Sequence, residues 1–367
     1  MKVVIVGGFL GSGKTTLLWA AARELMAMGK RVGLITNDQA PDLVDTTLLV
    51  QQGLDVREIA GSCFCCNFEW LLRSIDELEE VVRADVLFAE PVGSCTDLCA
   101  TLLRPLKRRL KQEVTLAPLS VLVDPHRTGS VLGEGEDPGM HPSAAYIFRK
   151  QLEEADRILV NKADLLADGG FPSLAQRLSR SYPGIPVRRI SSRTGEGVAS
   201  WLEDIFADPR AGERLLDIDY GTYAEGEAVL GWLNCEVRLA AAGGDLPRGE
   251  GICRTLMEDL RDAFRLRQAA VGHVKLVLLA GGGHVAANLV RADGDVEIRG
   301  GPMAPGPEAR MILNARVEIP PKQLERIVLE QLDRLADGGI GVRVQSLRSL
   351  SPAAPVPTYR VPGIPEP

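Results

Sequence analysis

From residue 1 to about 212 the chain alternates short apolar runs with amphipathic stretches. VVIV (3–6), VGLIT (32–36), DVLFAE (85–90), LSVLVD (119–124), RILVNK (157–162) and VRRIS (187–191) have the length and composition of strands. Between them, TLLWAAARELMAMG (16–29) and SLAQRLSRSY (173–182) repeat apolar residues at helical spacing. Apolar strands separated by helices predict an α/β unit with a mostly parallel sheet covered on both faces.

The rhythm breaks at 213–228 (ERLLDIDYGTYAEGEA), which reads as a linker. Beyond it the pattern predicts a strand over 229–239, a helix over 250–267 and strands over 273–280 and 284–290. A Gly/Pro-rich excursion (299–307) follows, then a strand over 310–318, a helix over 320–336 and a strand over 342–348. This βαβ(β)βαβ order predicts a smaller, ferredoxin-like α+β domain at 229–350. The proline-rich tail at 351–367 reads as extended, with disorder as the alternative.

Composition narrows the partners. The net charge is −7 and no basic block stands out, which argues against nucleic acid. The N-terminal MKVVIVGGFLG resembles a signal segment, but it runs into the polar GSGKTT and reads better as a first strand. No apolar run reaches the roughly 20 residues that span a bilayer. The expectation is a cytoplasmic protein with no membrane partner, where clustered cysteines suggest metal or redox chemistry before disulfides.

The first strand runs into Gly8-Phe-Leu-Gly11-Ser12-Gly13-Lys14-Thr15, with Thr16 following, and a helix comes next. That context makes G-x-x-x-x-G-K-[ST] a phosphate cradle, with backbone N–H groups and a helix N-terminus facing the anion. Lys14 would reach the β- and γ-phosphates, and Thr15 would offer its hydroxyl to Mg²⁺. Asn161-Lys162-Ala163-Asp164 ends another strand, and a carboxylate at Asp164 can accept from the two adjacent donors that guanine has and adenine lacks. Ser191, Ser192 and Arg193 would meet the guanine carbonyl. Glu90 could hold Mg²⁺, and Gly93 could sense the γ-phosphate. Asp38 and Asp45 are further candidates for approaching Mg²⁺ or polarising the attacking water, with a helix cap or surface loop as the plain reading of each. No glutamine follows Gly93, and the general base stays unassigned.

Between these motifs lies Cys63-Phe-Cys65-Cys66, three of the seven cysteines. Thiolates favour Zn²⁺ and similar soft ions, and three ligands leave one position open. Cys95 and Cys99, spaced i and i+4, would share a helix face and could add a ligand. Packing is the preferred reading for them, as for Cys235 and Cys253. The four histidines are scattered and show no ligand spacing.

Taken in order, GGFLGSGKTT, C-F-C-C, E-P-V-G and N-K-A-D resemble the CobW branch of the CobW/HypB/UreG metal-insertion P-loop GTPases, over about residues 1–210. The resemblance implies hydrolysis of GTP with Mg²⁺ and Zn²⁺ or Co²⁺ at Cys63, Cys65 and Cys66. It also implies delivery to a client metalloprotein or cofactor-assembly enzyme, with a homodimer as an open question. Two features depart from the family. Where it carries a segment like N-E-F-G-E-x-G-I-D, this chain reads N-D-Q-A-P-D-L-V-D, and a histidine-rich tract is absent. The competing readings are a redox-sensing regulatory GTPase and a P-loop small-molecule kinase with packing cysteines.

Overall fold

The computed structural model describes residues 1–38, 44–51, 54–61, 63–111, 113–133, 139–301 and 303–361. The chain divides into two compact units: 1–39, 49–226 and 354–367 form the first, and 40–48 with 227–353 form the second.

Among the described residues the first unit holds eight strands: β1 (Lys2–Gly8), β2 (Val32–Asp38), β3 (Asp55–Ala60), β4 (Val86–Glu90), β5 (Thr115–Leu116), β6 (Ser120–Val123), β7 (Arg157–Val160) and β8 (Val187–Arg189). They run in the order β3-β2-β4-β1-β6-β7-β8, with β5 beside β1. Every pairing is parallel. Val3–Val6 are all buried, as expected for a central strand covered on both faces. Helices α1 (Lys14–Ala27), α2 (Val44–Gln51), α3 (Phe68–Glu77), α4 (Arg104–Arg109), α5 (Pro125–Val131), α6 (Pro142–Glu154), α7 (Gly170–Ser181) and α8 (Val198–Ala207) connect the strands. Leu17, Leu18 and Leu25 of α1 and Trp201 and Ile205 of α8 share one core with Val4, Val6 and Phe88 of the sheet. The chain leaves β1 toward β2 on one side and later fills β6 to β8 on the other. This reversal opens a crevice at the carboxyl end of β1, where α/β sheets bind ligands.

The segment read as a linker contains a helix, α9 (Tyr220–Ala228). Glycines at 221 and 226 obscure its period. Gly226 allows a close approach, since a Cβ there would lie 2.4 Å from the Ser143 carbonyl oxygen. Tyr223 is buried and its hydroxyl accepts from the Thr96 N–H at 3.2 Å.

The second unit is an antiparallel sheet of β9 (Gly231–Ala241), β10 (Val271–Ala280), β11 (Gly283–Leu289), β12 (Glu297–Gly300), β13 (Glu308–Val317) and β14 (Ile340–Leu350), in the order β12-β11-β10-β13-β9-β14. Without the β11–β12 pair, the strand order is the ferredoxin-like one. Helices α10 (Gly249–Leu266) and α11 (Pro321–Asp337) cover one face, packing Phe264, Met257, Leu324 and Ile327 on Leu239, Leu276 and Leu313. The opposite face takes the start of α2. Val44 packs on Val277 and Ile312, its N–H donates to Asn314 at 2.8 Å, and Asp45 pairs with Lys275.

Candidate nucleotide and thiolate sites

Gly8 closes β1 with φ 133°, and a Cβ there would lie 2.4 Å from the Leu122 carbonyl oxygen of β6. The loop ends at Gly13, in the left-handed region at φ 95°. A Cβ on Gly13 would fall 2.4 Å from Asn161 Nδ2, so glycine is required here twice over. Lys14 is buried; its ammonium donates to the Gly8 carbonyl at 2.8 Å and stands 3.9 Å from Glu90. The Thr15 hydroxyl donates to the Glu90 carboxylate at 3.0 and 3.1 Å, and Thr16 follows, half-buried. Ser12 Oγ is buried without a hydrogen-bond partner, and no acid sits in the first turn of α1. A buried cation, an orphaned hydroxyl and a helix N-terminus with no anion of its own fit a bound phosphate. Glu90 beside Thr15 fits Mg²⁺, a hard ion held by oxygen.

The N-K-A-D segment reaches the phosphate loop directly. Asn161 Nδ2 donates to the Ser12 carbonyl at 2.8 Å, while its Oδ1 accepts from the Ser192 N–H and hydroxyl at 2.9 and 2.8 Å. Asp164 accepts from Ser191 Oγ at 2.6 Å and pairs with Arg193 at 2.9 Å. A carboxylate has about four lone-pair positions, so acceptor capacity remains for a base. Lys162 takes φ 54° and pairs with Asp124 at 2.8 Å. Burial raises the Asp124 carboxyl, but Lys162 and the Arg127 N–H outweigh it and the net position is below the usual range. Asp124 also caps α5. Its place at the end of LSVLVD was the available sequence signal, one that many strand-end acids share.

The thiolate loop follows β3. Gly61, at φ 98°, starts the turn, and the Cys66 and Asn67 N–H groups close it on the Cys63 carbonyl at 3.1 and 2.9 Å. Phe64 and Phe68 are fully buried and anchor it. Cys63 Sγ lies 2.9 Å from Cys65 Sγ and 3.1 Å from Cys66 Sγ, with 3.9 Å between the latter two. Thiolates about 2.3 Å from a tetrahedral Zn²⁺ stand about 3.8 Å apart. The three sulfurs reach that spacing by moving less than about 1 Å, so the set fits the ion. Hydrogen bonds from Cys65, Cys66 and Cys95 hold the Cys63 thiol well below its ordinary pKa. Hydrogen bonding to Cys63 pushes Cys65 up, and Cys66 to about 11.

Two links to this loop were not anticipated. Asn37, near the end of β2, donates to the Ile59 carbonyl and accepts from the Phe64 N–H, both at 2.9 Å. The tail, open to disorder in the sequence reading, runs as an extended segment over the loop as far as Val361. Thr358 donates its N–H to the Cys65 carbonyl at 2.8 Å and its hydroxyl to the Cys66 carbonyl at 3.1 Å. Tyr359 meets Phe68 edge-on at 5.2 Å, and Arg360 pairs with the fully buried Asp97 at 2.7 Å.

Other candidates separate. Asp38 closes β2 with its backbone, and its side chain lies outside the described residues. Asp45 is not held for water or Mg²⁺; its carboxylate pairs with Lys275 in the second unit. Gly93 packs on the phosphate loop, since a Cβ there would lie 2.7 Å from Leu10 Cδ2 and 3.1 Å from its N. Cys95 and Cys99 do not share a helix face. Cys95 lies in the turn after Gly93, and Cys99 opens a π-helical turn, its thiol donating to the Glu154 carbonyl at 3.4 Å. Cys235 and Cys253 sit in the second unit's core, where burial pushes both thiols up to about 12. His141 caps α6. Among the described residues, Cys63, Cys65 and Cys66 form the one metal-ligating group of three or more.

A family model described as the CobW/HypB/UreG nucleotide-binding domain matches residues 2–188. The chain is 29% identical over 226 residues to the zinc chaperone CobW of a Sinorhizobium species, covering 55% of this chain and 62% of the relative. It is 25% identical over 197 residues to the zinc chaperone YjiA of Escherichia coli K12, covering 52% and 58%. It is 30% identical over 195 residues to the hydrogenase maturation factor HypB of Azotobacter chroococcum, covering 52% and 55%. The chain thus spans little more than half the length of these relatives. A phosphate loop braced by Asn161, a strand-end acid on Thr15 and a three-thiol loop agree with that match over half the chain, and this chain belongs to the CobW/HypB/UreG family.

Proposed function

We propose that the protein hydrolyses GTP with Mg²⁺ and couples the state of the nucleotide to a thiophilic ion, Zn²⁺ or a similar metal, carried as cargo for a client protein. Two of the relatives are named zinc chaperones and a third a hydrogenase maturation factor, which supports the metal half of the reading. Water attacks the γ-phosphorus, and the bond to the β,γ-bridging oxygen breaks. Lys14 and the loop N–H groups stabilise the charge that grows on the leaving diphosphate. Bound Mg²⁺ supplies further neutralisation of that charge, and Thr15 and Glu90 would hold it. Asp164 and Asn161 orient the guanine.

The observation that carries the coupling is the Asn37 bridge. One side chain ties the end of β2, whose continuation responds to the terminal phosphate in GTPases, to Phe64 in the middle of the thiolate loop. Strand and loop are expected to move together. The test is Zn²⁺ affinity, by chelator competition under anaerobic conditions, with GDP and with a non-hydrolysable GTP analogue. The affinities are expected to differ, and Asn37→Ala is expected to narrow the difference. Equal affinities in the wild type would overturn the coupling.

A further inference from the structure

We propose that residues 358–360 form a strap that gates the thiolate loop, with the Arg360–Asp97 ion pair as its latch. This rests on the thiolate-metal reading above and names the part of the chain that sets how fast an ion enters and leaves.

The strap grips the backbone of the loop itself. Thr358 donates its N–H to the Cys65 carbonyl at 2.8 Å and its hydroxyl to the Cys66 carbonyl at 3.1 Å. Spreading the three sulfurs to the spacing of a bound ion turns the Cys65 and Cys66 peptides, and one residue ties down both. Cys63 and Cys65 are buried, so the loop opens to solvent at Cys66, whose carbonyl Thr358 holds. Pro355 and Pro357 stiffen the approach, so little chain entropy is lost when the strap fastens. The strap has no apolar core of its own. Val356 is 74% exposed and Tyr359 37%, so a few polar contacts hold the segment and it can lift without unpacking the domain.

Those contacts lead back to the nucleotide. The Tyr359 hydroxyl donates to Glu69 at 3.0 Å and accepts from Arg109 at 3.3 Å. Arg360 Nε donates to Asp97 Oδ2 at 2.7 Å, beside the Tyr220 hydroxyl at 2.8 Å on the same oxygen. Asp97 is fully buried, and its Oδ1 has no hydrogen-bond partner among the described residues. Breaking an ion pair to a buried carboxylate leaves its charge uncompensated, so this latch holds more firmly than an exposed pair. Asp97 also ends the segment that starts at Glu90, which accepts from Thr15 of the phosphate loop. Gln151 of α6 donates to the Gly93 and Cys95 carbonyls at 3.0 and 2.8 Å and braces that segment as one piece. A shift of this piece at the γ-phosphate pulls on the latch, and the strap lifts with it.

The test uses full-length protein, prepared anaerobically under reducing conditions, with Co²⁺ as the probe. Sulfur-to-cobalt charge-transfer absorbance follows loading after mixing and release after addition of a chelator. Thr358→Pro removes both bonds to the loop and keeps the latch. Arg360→Gln keeps a donor for Asp97 without the charge, and Val356→Ser is the control; circular dichroism checks folding. Thr358→Pro is expected to speed loading and release alike by roughly tenfold, the scale of two net hydrogen bonds. Its Co²⁺ affinity should change little, because the strap lies over the loop before and after loading, and Val356→Ser should match the wild type. Wild-type release should differ between GDP and a non-hydrolysable GTP analogue, and Arg360→Gln should narrow that difference. Unchanged rates in Thr358→Pro, or a lower affinity with unchanged loading, overturn the strap and leave the three-thiolate site standing. An undiminished nucleotide effect in Arg360→Gln overturns the latch. Failure of the wild type to bind Co²⁺ overturns the gate and the metal reading together.

Discussion

At the scale of single residues, Asp164 and Asn161 divide the work at the proposed base site between them. Asn161 spends its amide on Ser12 and Ser192, bracing two loops, and Asp164 keeps acceptor positions for a ligand. Asp164→Ala is expected to reduce the preference for GTP over ATP roughly ten- to a hundredfold, since a hydrogen bond to a charged group is worth about 1.5–3 kcal/mol. Competition between the two nucleotides for a fluorescent analogue reads this directly. Glu154 makes a different prediction. Burial raises its carboxyl to about 8, against the opposing pull of the Cys99 N–H and the Thr96 hydroxyl. The folded chain therefore keeps a proton that the unfolded chain releases near 4.5. The resulting stability is complete below that lower value and is lost as pH rises through about 8. Melting temperatures should fall over this window in the wild type and fall less steeply in Glu154→Gln. The phosphate-loop and N-K-A-D residues were legible because their chemistry demands a fixed spacing within one segment. Asn37 was legible only as the neighbour of a candidate acid, because its partner Phe64 lies 27 positions away.

At the scale of elements, the tail departs furthest from what its composition suggests. Proline has no N–H, so an extended proline-rich segment has few donors to spend. Here Thr358 and Val361 spend theirs on the Cys65 and Ala100 carbonyls. The aromatic ring of Tyr359 and the charge of Arg360 supply the rest of the anchorage. Ending the chain after residue 353 is expected to speed the reaction of Cys66 with a thiol reagent, measured by absorbance under reducing-agent-free anaerobic conditions. Unchanged kinetics would show that the tail does not shield the loop. Helix α9 and the C-x-C-C turn make the complementary point. Both depend on glycines that look like breaks in sequence: Gly226 permits the close approach to Ser143, and Gly61 supplies the left-handed turn at φ 98°.

At the scale of the whole molecule, each unit has its own core, and the second is built on α10 and α11. Phe264→Ala empties a fully buried site there and is expected to cost about 3–5 kcal/mol, read by urea denaturation. No helix among the described residues is long and apolar enough to cross a membrane. What the sequence determined by itself was local: the alternation that makes a parallel sheet, the order of the second unit's elements except for the short β12 (Glu297–Gly300) that the Gly/Pro-rich excursion hid, and the loops whose chemistry depends on residues a few positions apart. Periodicity and short-range spacing carry that information because backbone geometry repeats every two or 3.6 residues. Only the tertiary structure decided that Asp45 pairs with Lys275 and that the tail lies across the cysteine loop. Those contacts join residues 230 and 292 positions apart along the chain, and no short-range pattern encodes which distant partner a side chain meets.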